Sequence, residues 1–333
     1  MNSFGRIFRL TIFGESHGPS VGISIDGCPP GMSIYAEDFL TDIERRKGGL
    51  QKGTTPRNEA DIPIIISGIF NDKATGAPLT VLFENNNTRS ADYAKQRDIP
   101  RPGHADFVAS RKYRGFEDYR GGGHFSGRLT VCLVAAGVIA KKILAHFSEP
   151  GKSITCSASI LEVGGCKDVE KGIERAIIEQ DSIGGIVECT VKNLPVGLGE
   201  PFFDSAESLI SHAVFSIPAI KGIEFGAGFE AAGMKGSLHN DSLHDASGKS
   251  FTNHAGGING GLTNGNDLVF RVVVKPTSST PKEQRAFNMQ TGEIESFSVK
   301  GRHDLCIALR VPVILEAVTA CVLADLLLLE KAN

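Results

Sequence analysis

Two histidines in glycine-rich segments are the first residues whose type and setting could do chemistry. His17 lies in Gly-Glu-Ser-His-Gly at residues 14–18, and His104 follows a Pro-Gly pair within residues 101–106. The imidazole pKa of about 6.5 suits proton transfer near neutral pH. Each histidine is also typical of a surface loop, and two together could bind a metal. A metal site needs three or four ligands at fixed geometry. Neither histidine has HxH or HExxH spacing, so we expect no metal.

A run of three glycines before an apolar segment is the second feature. Residues 120–128 read Arg-Gly-Gly-Gly-His-Phe-Ser-Gly-Arg, and residues 128–147 are apolar on nearly all faces until a pair of lysines. Glycines followed by a helix N-terminus offer free amides and a favourable dipole to an anion. The segment matches neither the P-loop nor the dinucleotide fingerprint. An anion cradle and an ordinary glycine turn both stay open at this point.

Three further loops and one helix end carry polar and charged groups. Residues 253–257 offer an amide side chain and glycines, residues 275–279 a lysine with three hydroxyls, and residues 301–304 an arginine beside an aspartate. A lysine with neighbouring hydroxyls can bind a phosphate through charge-assisted hydrogen bonds. Basic residues also gather between positions 45 and 57. That cluster predicts either a solvated helix end or a site for a doubly acidic substrate.

Sequence periodicity predicts a mixed framework of strands and helices around these loops. Alternation or short apolar runs predict strands, and apolar residues at i, i+3, i+4 and i+7 predict helices. The predicted strands are residues 21–26, 62–70, 79–83, 154–163, 185–191, 223–229 and 268–274. The predicted helices are residues 36–47, 128–147, 168–180, 206–215 and one that begins at Pro312. Because βαβ regularity is missing and the apolar helix must be covered on both sides, we expect a layered α/β fold. It would form one domain, residues 1–333, with helices packed between or against antiparallel sheets.

The composition limits the class of protein. The 333 residues carry a formal net charge of -3, so no global field favours nucleic acid and any anion site must be local. Seven cysteines without a CxxC pair indicate thiols of a reducing compartment rather than a zinc site. The first 14 residues lack a signal-peptide pattern. Residues 311–329 are strongly apolar but contain Glu316 and Asp325, which favours a buried helix over a membrane span.

In order along the chain, these segments resemble the chorismate synthase family over nearly the whole sequence. The first runs from Gly-Glu-Ser-His-Gly to Asp-Gly-Cys-Pro-Pro-Gly, and the third contains Tyr-Arg-Gly-Gly-Gly. Any one segment could arise by chance, whereas six in the family's order are specific. The six are residues 14–31, 101–106, 119–137, 253–257, 275–279 and 301–317.

The resemblance implies a definite reaction and cofactor. The family converts 5-enolpyruvylshikimate 3-phosphate to chorismate by anti 1,4-elimination of phosphate and a ring proton, the last step of the shikimate pathway in aromatic amino-acid biosynthesis. It requires reduced FMN, which is not consumed. Family members are typically homotetramers whose subunit is a β-α-β sandwich with central helices between antiparallel sheets. We therefore expect a cytoplasmic, homotetrameric lyase served by an external flavin reductase, with no nucleic-acid or membrane partner.

The resemblance also implies roles by position. His104 would protonate the reduced flavin near N1, and His17 would protonate the departing phosphate. Ser16, Ser126 and Asp304 would surround flavin N5 and help to remove the ring proton. The implied substrate-binding residues are Arg46, Lys52, Arg57, Arg101 and Arg120. The implied flavin-binding residues are His124, Phe125, Ser126, Arg128, Pro218, Ala219, Asn253, Ala255, Gly260, Lys275, Pro276, Thr277, Ser278, Ser279 and Arg302.

The sequence departs from the family pattern at two places near the flavin. Many members carry Arg-Ser-Ser-Ala-Arg after the three glycines, whereas residues 124–128 read His-Phe-Ser-Gly-Arg, which removes one charge. Pro218 stands where an Asn commonly precedes Ala219, which removes an amide side chain and a backbone donor. These departures put the flavin phosphate contact from that side in question.

Three other functions compete with this interpretation. The nearest adds an NADPH-dependent flavin reductase, because Arg46 and Lys52 fall where bifunctional members bind pyridine nucleotide; the chain has no extra insertion or dinucleotide fingerprint for it. A flavin- or phosphate-binding module would keep the glycine loops but would not need His17, His104 and Asp304 together. A metal-dependent hydrolase is the third alternative.

Overall fold

The computed structural model describes residues 2–49, 51–57, 59–88, 97–299 and 303–332. The strands are β1 Ser3–Phe4, β2 Arg9–Gly14, β3 Ser20–Asp26, β4 Ile64–Ser67, β5 Ile69–Phe70, β6 Lys73–Ala74, β7 Leu79–Glu84, β8 Thr155–Val163, β9 Gly185–Lys192, β10 Ile220–Phe225, β11 Ile258–Asn259, β12 Leu262–Thr263, β13 Leu268–Val274, β14 Gln284–Phe287 and β15 Ile294–Phe297. The α-helices are α1 Leu40–Arg46, α2 Asp106–Tyr113, α3 Thr130–His146, α4 Val169–Glu179, α5 Ala206–Val214, α6 Gly236–His239 and α7 Val311–Ala332. The 3-10 helices are Ala36–Phe39, Arg120–Phe125, Gly127–Leu129, Phe202–Asp204, Gly228–Gly233 and Ile307–Arg310.

Two antiparallel sheets form the outer layers of the core. The first has the strand order β1-β2-β3-β7-β4, and the second has the order β10-β13-β9-β8. In the first sheet Ile23 pairs with Val81 and both are fully buried. In the second, Cys189 pairs with Phe270 and both are again fully buried. Alternate residues on these strands face the helices, which is why the sequences alternate between apolar and polar.

Helices α3 and α7 fill the space between the sheets. Helix α3 packs on β3 and β7 of the first sheet, and α7 packs on β8 and β9 of the second. The two helices also pack closely on each other. A Cβ added at Gly137 of α3 would lie 2.3 Å from the Cβ of Ala317 in α7, so only glycine allows this approach. The result is a sheet-helix-sheet sandwich, which confirms the expected layered α/β architecture.

The central helices are apolar because protein surrounds them. Among the described residues, the helical stretches Arg120–His146 and Ile307–Ala332 are long and apolar enough to cross a membrane. Of their most apolar windows, 78% and 94% lie buried inside the protein. Core helices of soluble proteins share this pattern.

The buried carboxylates of α7 have structural partners. Glu316 accepts two hydrogen bonds from the Arg45 guanidinium at 2.7 and 2.8 Å, one from Lys141 Nζ at 3.1 Å and one from the Ala158 amide at 3.0 Å. It therefore ties α1, α3 and β8 to α7. One oxygen of Asp325 accepts the amides of Ile7 and Phe8, each at 2.8 Å, and so caps the turn between β1 and β2.

Most predicted elements are confirmed, but one predicted strand is interrupted and another has different ends. The strand predicted at 62–70 is interrupted at Gly68, whose φ of +86° and tight contact with Leu79 require glycine and separate β4 from β5. The strand predicted at 223–229 instead begins at Ile220 and ends at Phe225. Gly226 takes a φ of +55° there, and the chain turns into a 3-10 helix.

Candidate active site

A cavity of about 630 Å³ opens beside the first turn of α3. Its walls include the glycine loop at residues 120–128, the loop at 275–279 and the segment that leads into α7. The described lining carries seven arginine or lysine side chains and three carboxylates. This excess of positive charge in a chain of net charge -3 favours a small anionic ligand.

His104 is held by a carboxylate that a neighbouring guanidinium also binds. Its Nδ1 lies 2.5 Å from Asp106 Oδ1 and 3.0 Å from Arg101 Nη2. Because a carboxylate can only accept, Nδ1 donates its hydrogen to Asp106, and Nε2 is left as the nitrogen that can exchange a proton. Arg101 is buried and also donates to Asp106 through Nε at 2.7 Å and to Ser279 Oγ at 3.2 Å. The predicted residues His104, Arg101 and Ser279 therefore meet in one cluster.

Asp106 supports this cluster as a permanently charged group. Burial alone would raise its pKa, but hydrogen bonds from Arg101 and His104 outweigh that effect and hold the pKa well below its ordinary value. The carboxylate is therefore ionised throughout the working pH range. It fixes both the tautomer and the orientation of His104, as an aspartate does for a catalytic histidine.

His17 lies behind the glycine loop, against Gly121. A Cβ at Gly121 would come 2.6 Å from His17 Nε2 and 3.1 Å from Ser16 Oγ. Gly121 also has a φ of +60°, so its backbone and its contact both require glycine. Ser16 is fully buried, and its Oγ accepts from Arg57 Nη1 at 3.3 Å. The glycine run therefore lets the backbone lie directly on the His17 ring.

The surroundings of His17 lower its pKa. Burial is the largest cause, and the positive charges of Arg57 and Arg120 add to it. The imidazole is consequently neutral near pH 7 in the free protein, since its ordinary pKa is about 6.5. An anion placed among these cations would reverse the effect and favour the protonated ring.

Asp304 lies in the cavity wall with both oxygens engaged. Oδ1 accepts the amide of Thr55 at 2.9 Å, and Oδ2 accepts from Arg310 Nη1 at 2.9 Å. Arg310 Nε in turn donates to the carbonyl oxygen of Arg46 at 2.8 Å. These contacts fix the carboxylate between the segment at residue 55 and the start of α7.

The loop at 275–279 has the donors that a phosphate needs. Lys275 Nζ lies 2.8 Å from Ser278 Oγ, and burial together with Lys221 lowers the lysine pKa. Ser278 Oγ donates to the carbonyl of Gly103 at 2.8 Å, which joins this loop to the His104 segment. The Thr277 hydroxyl is buried without a protein partner. An unpartnered hydroxyl and a desolvated lysine on one cavity wall fit a bound phosphate, so the residues suit the end group of FMN.

The floor of the cavity is a buried ion cluster. Arg46 and Arg128 are both buried and both donate to Asp61, which itself is inaccessible and has a φ of +50°. Arg46 also donates to the carbonyl oxygen of Arg128 and to Thr130 Oγ1, at 3.3 and 3.2 Å. Two guanidiniums on one carboxylate leave a positive charge under the cavity. Burial, followed by Arg310, lowers the pKa of Arg46 to about 9.

The segment at 124–126 contributes to the cavity wall. His124 Nδ1 donates to the carbonyl of Gly14 at 2.8 Å, so this histidine is anchored to the end of β2. Phe125 lines the cavity and is partly exposed. Ser126 Oγ accepts the amide of Arg128 at 3.3 Å and caps the short helix that leads into α3.

Several predicted residues lie away from the cavity. The Lys52 side chain is 65% exposed and pairs with Glu174 at 3.7 Å, and Arg120 pairs with Asp118. Neither of these residues is in the described lining of the cavity in this single chain, and neither is the loop at 253–260. Predicted residues outside that lining are Ser16, His17, Lys52, Arg120, Asn253, Ala255 and Gly260, and of these Ser16 and His17 lie directly behind the lining residue Gly121. Pro276, between two lining residues, is not itself in the lining, whereas Pro218 and Ala219 are. Arg302 lies outside the described residues.

Sequence reasoning missed four residues that build the site. Asp106 lies in the segment 101–106, but the sequence predicts no role for it, and the sequence predicts no site role for Asp61, Asn85 or Arg310. Arg310 could have been found as the basic residue before the last helix. Asp61 and Asn85 carry no local signal, because their partners are far away in the sequence.

The described residues contain no group of three His, Cys, Asp or Glu side chains that could hold a metal ion. The site instead combines one basic cavity, lined by His104, Asp304 and the loop at 275–279, with His17 directly behind the lining residue Gly121. Such a fold and site define an enzyme that binds small anions and transfers protons.

Comparisons with known proteins identify the family. The family model described as chorismate synthase matches residues 8–328. A chorismate synthase of Chitinophaga pinensis is 70% identical, covering 100% of this chain and 98% of the relative. One of Dehalococcoides mccartyi is 44% identical and covers 98% and 96%. A crystal structure of a chorismate synthase superposes with a TM-score of 0.74 at 25% identity, covering 98% of this chain and 93% of the other.

The chain therefore belongs to the chorismate synthase family. The family's reaction is the elimination of phosphate from 5-enolpyruvylshikimate 3-phosphate to give chorismate, and this lyase reaction is the activity of the chain. Reduced FMN is its cofactor.

Proposed function

We propose that the elimination takes place in the cavity beside α3, with His17 and His104 as separate acids and Asp304 in the proton-removal step. The observation that favours this assignment most is that the two histidines lie in different surroundings. His104 is fixed by an ionised carboxylate, whereas His17 is buried beside two arginines. One chain thus offers two proton donors tuned by different surroundings.

We assign the substrate anion to the basic side of this cavity. Arg57 lines it, is only 18% exposed in its side chain, and reaches both Ser16 Oγ and Glu59. Arg101 and the Arg46–Asp61–Arg128 cluster add positive charge around the same space. Arg46 acts here through its charge beneath the cavity, because both of its Nη atoms are already engaged. Lys52 and Arg120 contribute at longer range.

His17 has the properties of an acid that is charged only when needed. Its pKa is lowered in the free protein by burial, Arg57 and Arg120. A phosphate bound beside it offsets these cations, so the ring takes up a proton as the anion binds. The proton then lies next to the leaving group, where it neutralises the charge that develops on the departing phosphate.

His104 has the properties of an acid that keeps its orientation. Asp106 holds the hydrogen on Nδ1, and Arg101 holds Asp106. Nε2 is therefore the atom that carries and releases the second proton. Asp304, fixed by Thr55 and Arg310, and the hydroxyls of Ser16 and Ser126 are proposed to help remove the ring proton.

The flavin site is proposed along the 275–279 loop and the wall formed by residues 124–126 and 218–219. Lys275, Thr277 and Ser278 would hold the FMN phosphate, and Ser279 links that loop to Arg101. When bound, reduced FMN supplies electron density to the substrate as its phosphate leaves. Asn253, Ala255, Gly260 and Arg302 stay predictions for flavin contact.

We further propose a cytoplasmic enzyme of one domain that works as a homotetramer with flavin reduced by a separate reductase. Helices α3 and α7 pack against each other and each against one of the two sheets, which supports one domain. Exposed Phe202, Phe203 and Phe229, each at least 85% accessible, offer apolar surface for subunit contacts. Light scattering should give about four times the 35.4 kDa chain mass; a monomer would contradict the assembly.

The test of the acid assignments is a pair of single substitutions. Each of His17→Ala and His104→Ala should lower turnover with reduced FMN by about 10²- to 10⁴-fold in a folded protein. His244→Ala, at an exposed histidine outside the cavity lining, is the matched control and should retain wild-type turnover. Near-normal turnover in His17→Ala or His104→Ala, with unchanged melting, would remove that histidine from the mechanism.

A further inference from the structure

We propose that Asn85 is a positioning residue that holds the turn carrying His17. The inference rests on the proposed function only for its kinetic consequence, since the contacts themselves are structural. Asn85 follows directly after β7, on the first sheet, and is half-buried. It lies 68 positions from His17 in sequence by residue number, so no local pattern links the two.

The side-chain amide of Asn85 closes the His17 turn at both ends. Its Nδ2 donates to the carbonyl of Glu15 at 3.0 Å and to the carbonyl of Gly18 at 2.9 Å. The Asn85 backbone amide donates to the carbonyl of Pro19 at 3.0 Å. The residues on either side of Ser16 and His17 are therefore attached to one side chain and its backbone.

A second contact fixes which way this amide points. Asn85 Oδ1 accepts from Arg128 Nε at 2.8 Å. If the amide were flipped, its NH₂ would face a guanidinium donor and its oxygen would face two carbonyl oxygens. Three favourable hydrogen bonds would be replaced by three repulsive contacts, so only the observed orientation satisfies all partners.

Arg128 is itself held by hydrogen bonds from all three guanidinium nitrogens. Its Nη1 donates to the inaccessible carboxylate of Asp61, and its Nη2 donates to the carbonyl of Glu84 at 3.0 Å. Each nitrogen of the Arg128 guanidinium thus has a fixed partner. The buried ion cluster under the cavity therefore extends through Arg128 and Asn85 to the backbone that carries His17.

The position of His17 depends on this support because its contacts are close. The Ser16 amide donates to the carbonyl of Gly123 at 3.1 Å, which brings the turn against the glycine loop. His17 is only 8% exposed, and that burial is the main cause of its lowered pKa. Loosening the turn would expose the ring, weaken its contact with the loop and shift its protonation.

The first test measures the position of His17 without using activity. The rate at which diethylpyrocarbonate modifies His17, read by peptide mass spectrometry, reports exposure of the ring. Asn85→Ala should raise this rate about 10- to 100-fold, because the loss of two hydrogen bonds makes opening of the turn easier by about that factor. The neighbouring Asn86→Ala removes one exposed side-chain contact, with Glu84 at 3.4 Å, and should leave the rate unchanged. An unchanged rate in Asn85→Ala would overturn the proposal.

A second variant separates the two contacts of the amide. Asn85→Asp keeps an oxygen for Arg128 but has no N–H to donate to the turn. If the donors position His17, this variant should be modified as fast as Asn85→Ala. Wild-type behaviour of Asn85→Asp would show that only the Arg128 contact matters and would also overturn the proposal.

A kinetic cycle then tests whether Asn85 acts through His17. Turnover with reduced FMN is measured for wild type, Asn85→Ala, His17→Ala and the double variant. Asn85→Ala should lower kcat about 10-fold or more in the wild-type background and have no further effect once His17 is absent. The same loss in both backgrounds would show that Asn85 acts elsewhere. Normal turnover of His17→Ala alone would refute the proposed acid role, while the modification rates would still decide the positioning role.

Discussion

At the residue scale, the two histidines of the site are controlled by different physical means. His104 is oriented by a charged partner, because Asp106 is ionised and only 2.5 Å from Nδ1. His17 is controlled by burial and by the repulsion of Arg57 and Arg120. A group held by a carboxylate keeps a fixed orientation, whereas a group surrounded by cations responds to the arrival of an anion. The two acids are thus suited to different steps.

Substrate binding should be coupled to proton uptake by His17. The lowered pKa leaves the ring neutral at pH 7 in the free protein, and the bound phosphate raises the pKa again, so binding near pH 7 takes up as much as one proton. Calorimetric titration in buffers with different ionisation enthalpies measures this uptake. His17→Ala should remove it, and His244→Ala should not. Equal uptake by wild type and His17→Ala would contradict the assignment.

Replacing Asp106 should impair His104 by releasing its tautomer. Asp106→Asn removes the carboxylate that accepts from Nδ1, and kcat should fall about 10²- to 10⁴-fold, as for a misoriented acid. Arg101 is in the cavity lining and loses the same ionised partner, so the Michaelis constant should rise as well. Asp245→Asn is the matched control, since Asp245 pairs with exposed His244 at 3.0 Å outside that lining. A normal kcat in folded Asp106→Asn would count against the orienting role.

At the element scale, the apolar helix α7 carries a charge that organises its neighbours. Glu316 joins α1, α3 and β8 through four hydrogen bonds, although the surrounding helix is almost entirely apolar. Burial would raise the Glu316 pKa, but Arg45 and Lys141 outweigh burial and lower it. The start of this same helix holds Arg310 against Asp304, so the packing of α7 also sets the position of a site residue.

Removing the Glu316 charge should destabilise the fold more than it alters the chemistry. Glu316→Gln leaves Arg45 and Lys141 with weaker partners and should cost about 2–4 kcal/mol in the free energy of unfolding. Because folding lowers the Glu316 pKa, the ionised carboxylate stabilises the fold fully above its unfolded pKa of about 4.3, and this contribution is lost as the pH falls through the folded pKa. The stability of the variant should therefore depend less on acid pH. Glu330→Gln, at an exposed position of the same helix, should change stability by less than about 0.5 kcal/mol. Equal stabilities of the two variants in denaturant titrations would refute the role.

The sequence predicts elements well where burial is complete and poorly where glycine turns the chain. The sequence predicts helix α3 at 128–147, and it lies at Thr130–His146. The prediction succeeds because a helix that is apolar on all faces must be surrounded by protein. The strand at 62–70 failed at Gly68, since a left-handed residue interrupts pairing without changing the apolar pattern. Asn85 and Asp61 were beyond sequence reasoning for another reason. Their function comes from tertiary hydrogen bonds to the His17 turn and to Arg128.

At the scale of the whole molecule, the cavity is built from segments that are remote in sequence. His104, Lys275 and Asp304 come from three separate loops. Asp61, which precedes β4, secures the floor, and Asn85, which follows β7, secures the His17 turn. The sandwich keeps these loops together because α3 and α7 pack on each other and each on one of the two sheets. A basic cavity in a weakly acidic chain then selects a polyanionic substrate.

The most direct test of this account is an anaerobic assay of the purified protein with 5-enolpyruvylshikimate 3-phosphate and chemically reduced FMN. Chorismate and phosphate should form in equal amounts, with many turnovers for each reduced flavin, because the elimination is redox-neutral overall and the proposed acids and base belong to the protein. Oxidised FMN should support no turnover. Absence of chorismate with reduced FMN, or equal rates with oxidised and reduced FMN, would contradict the account.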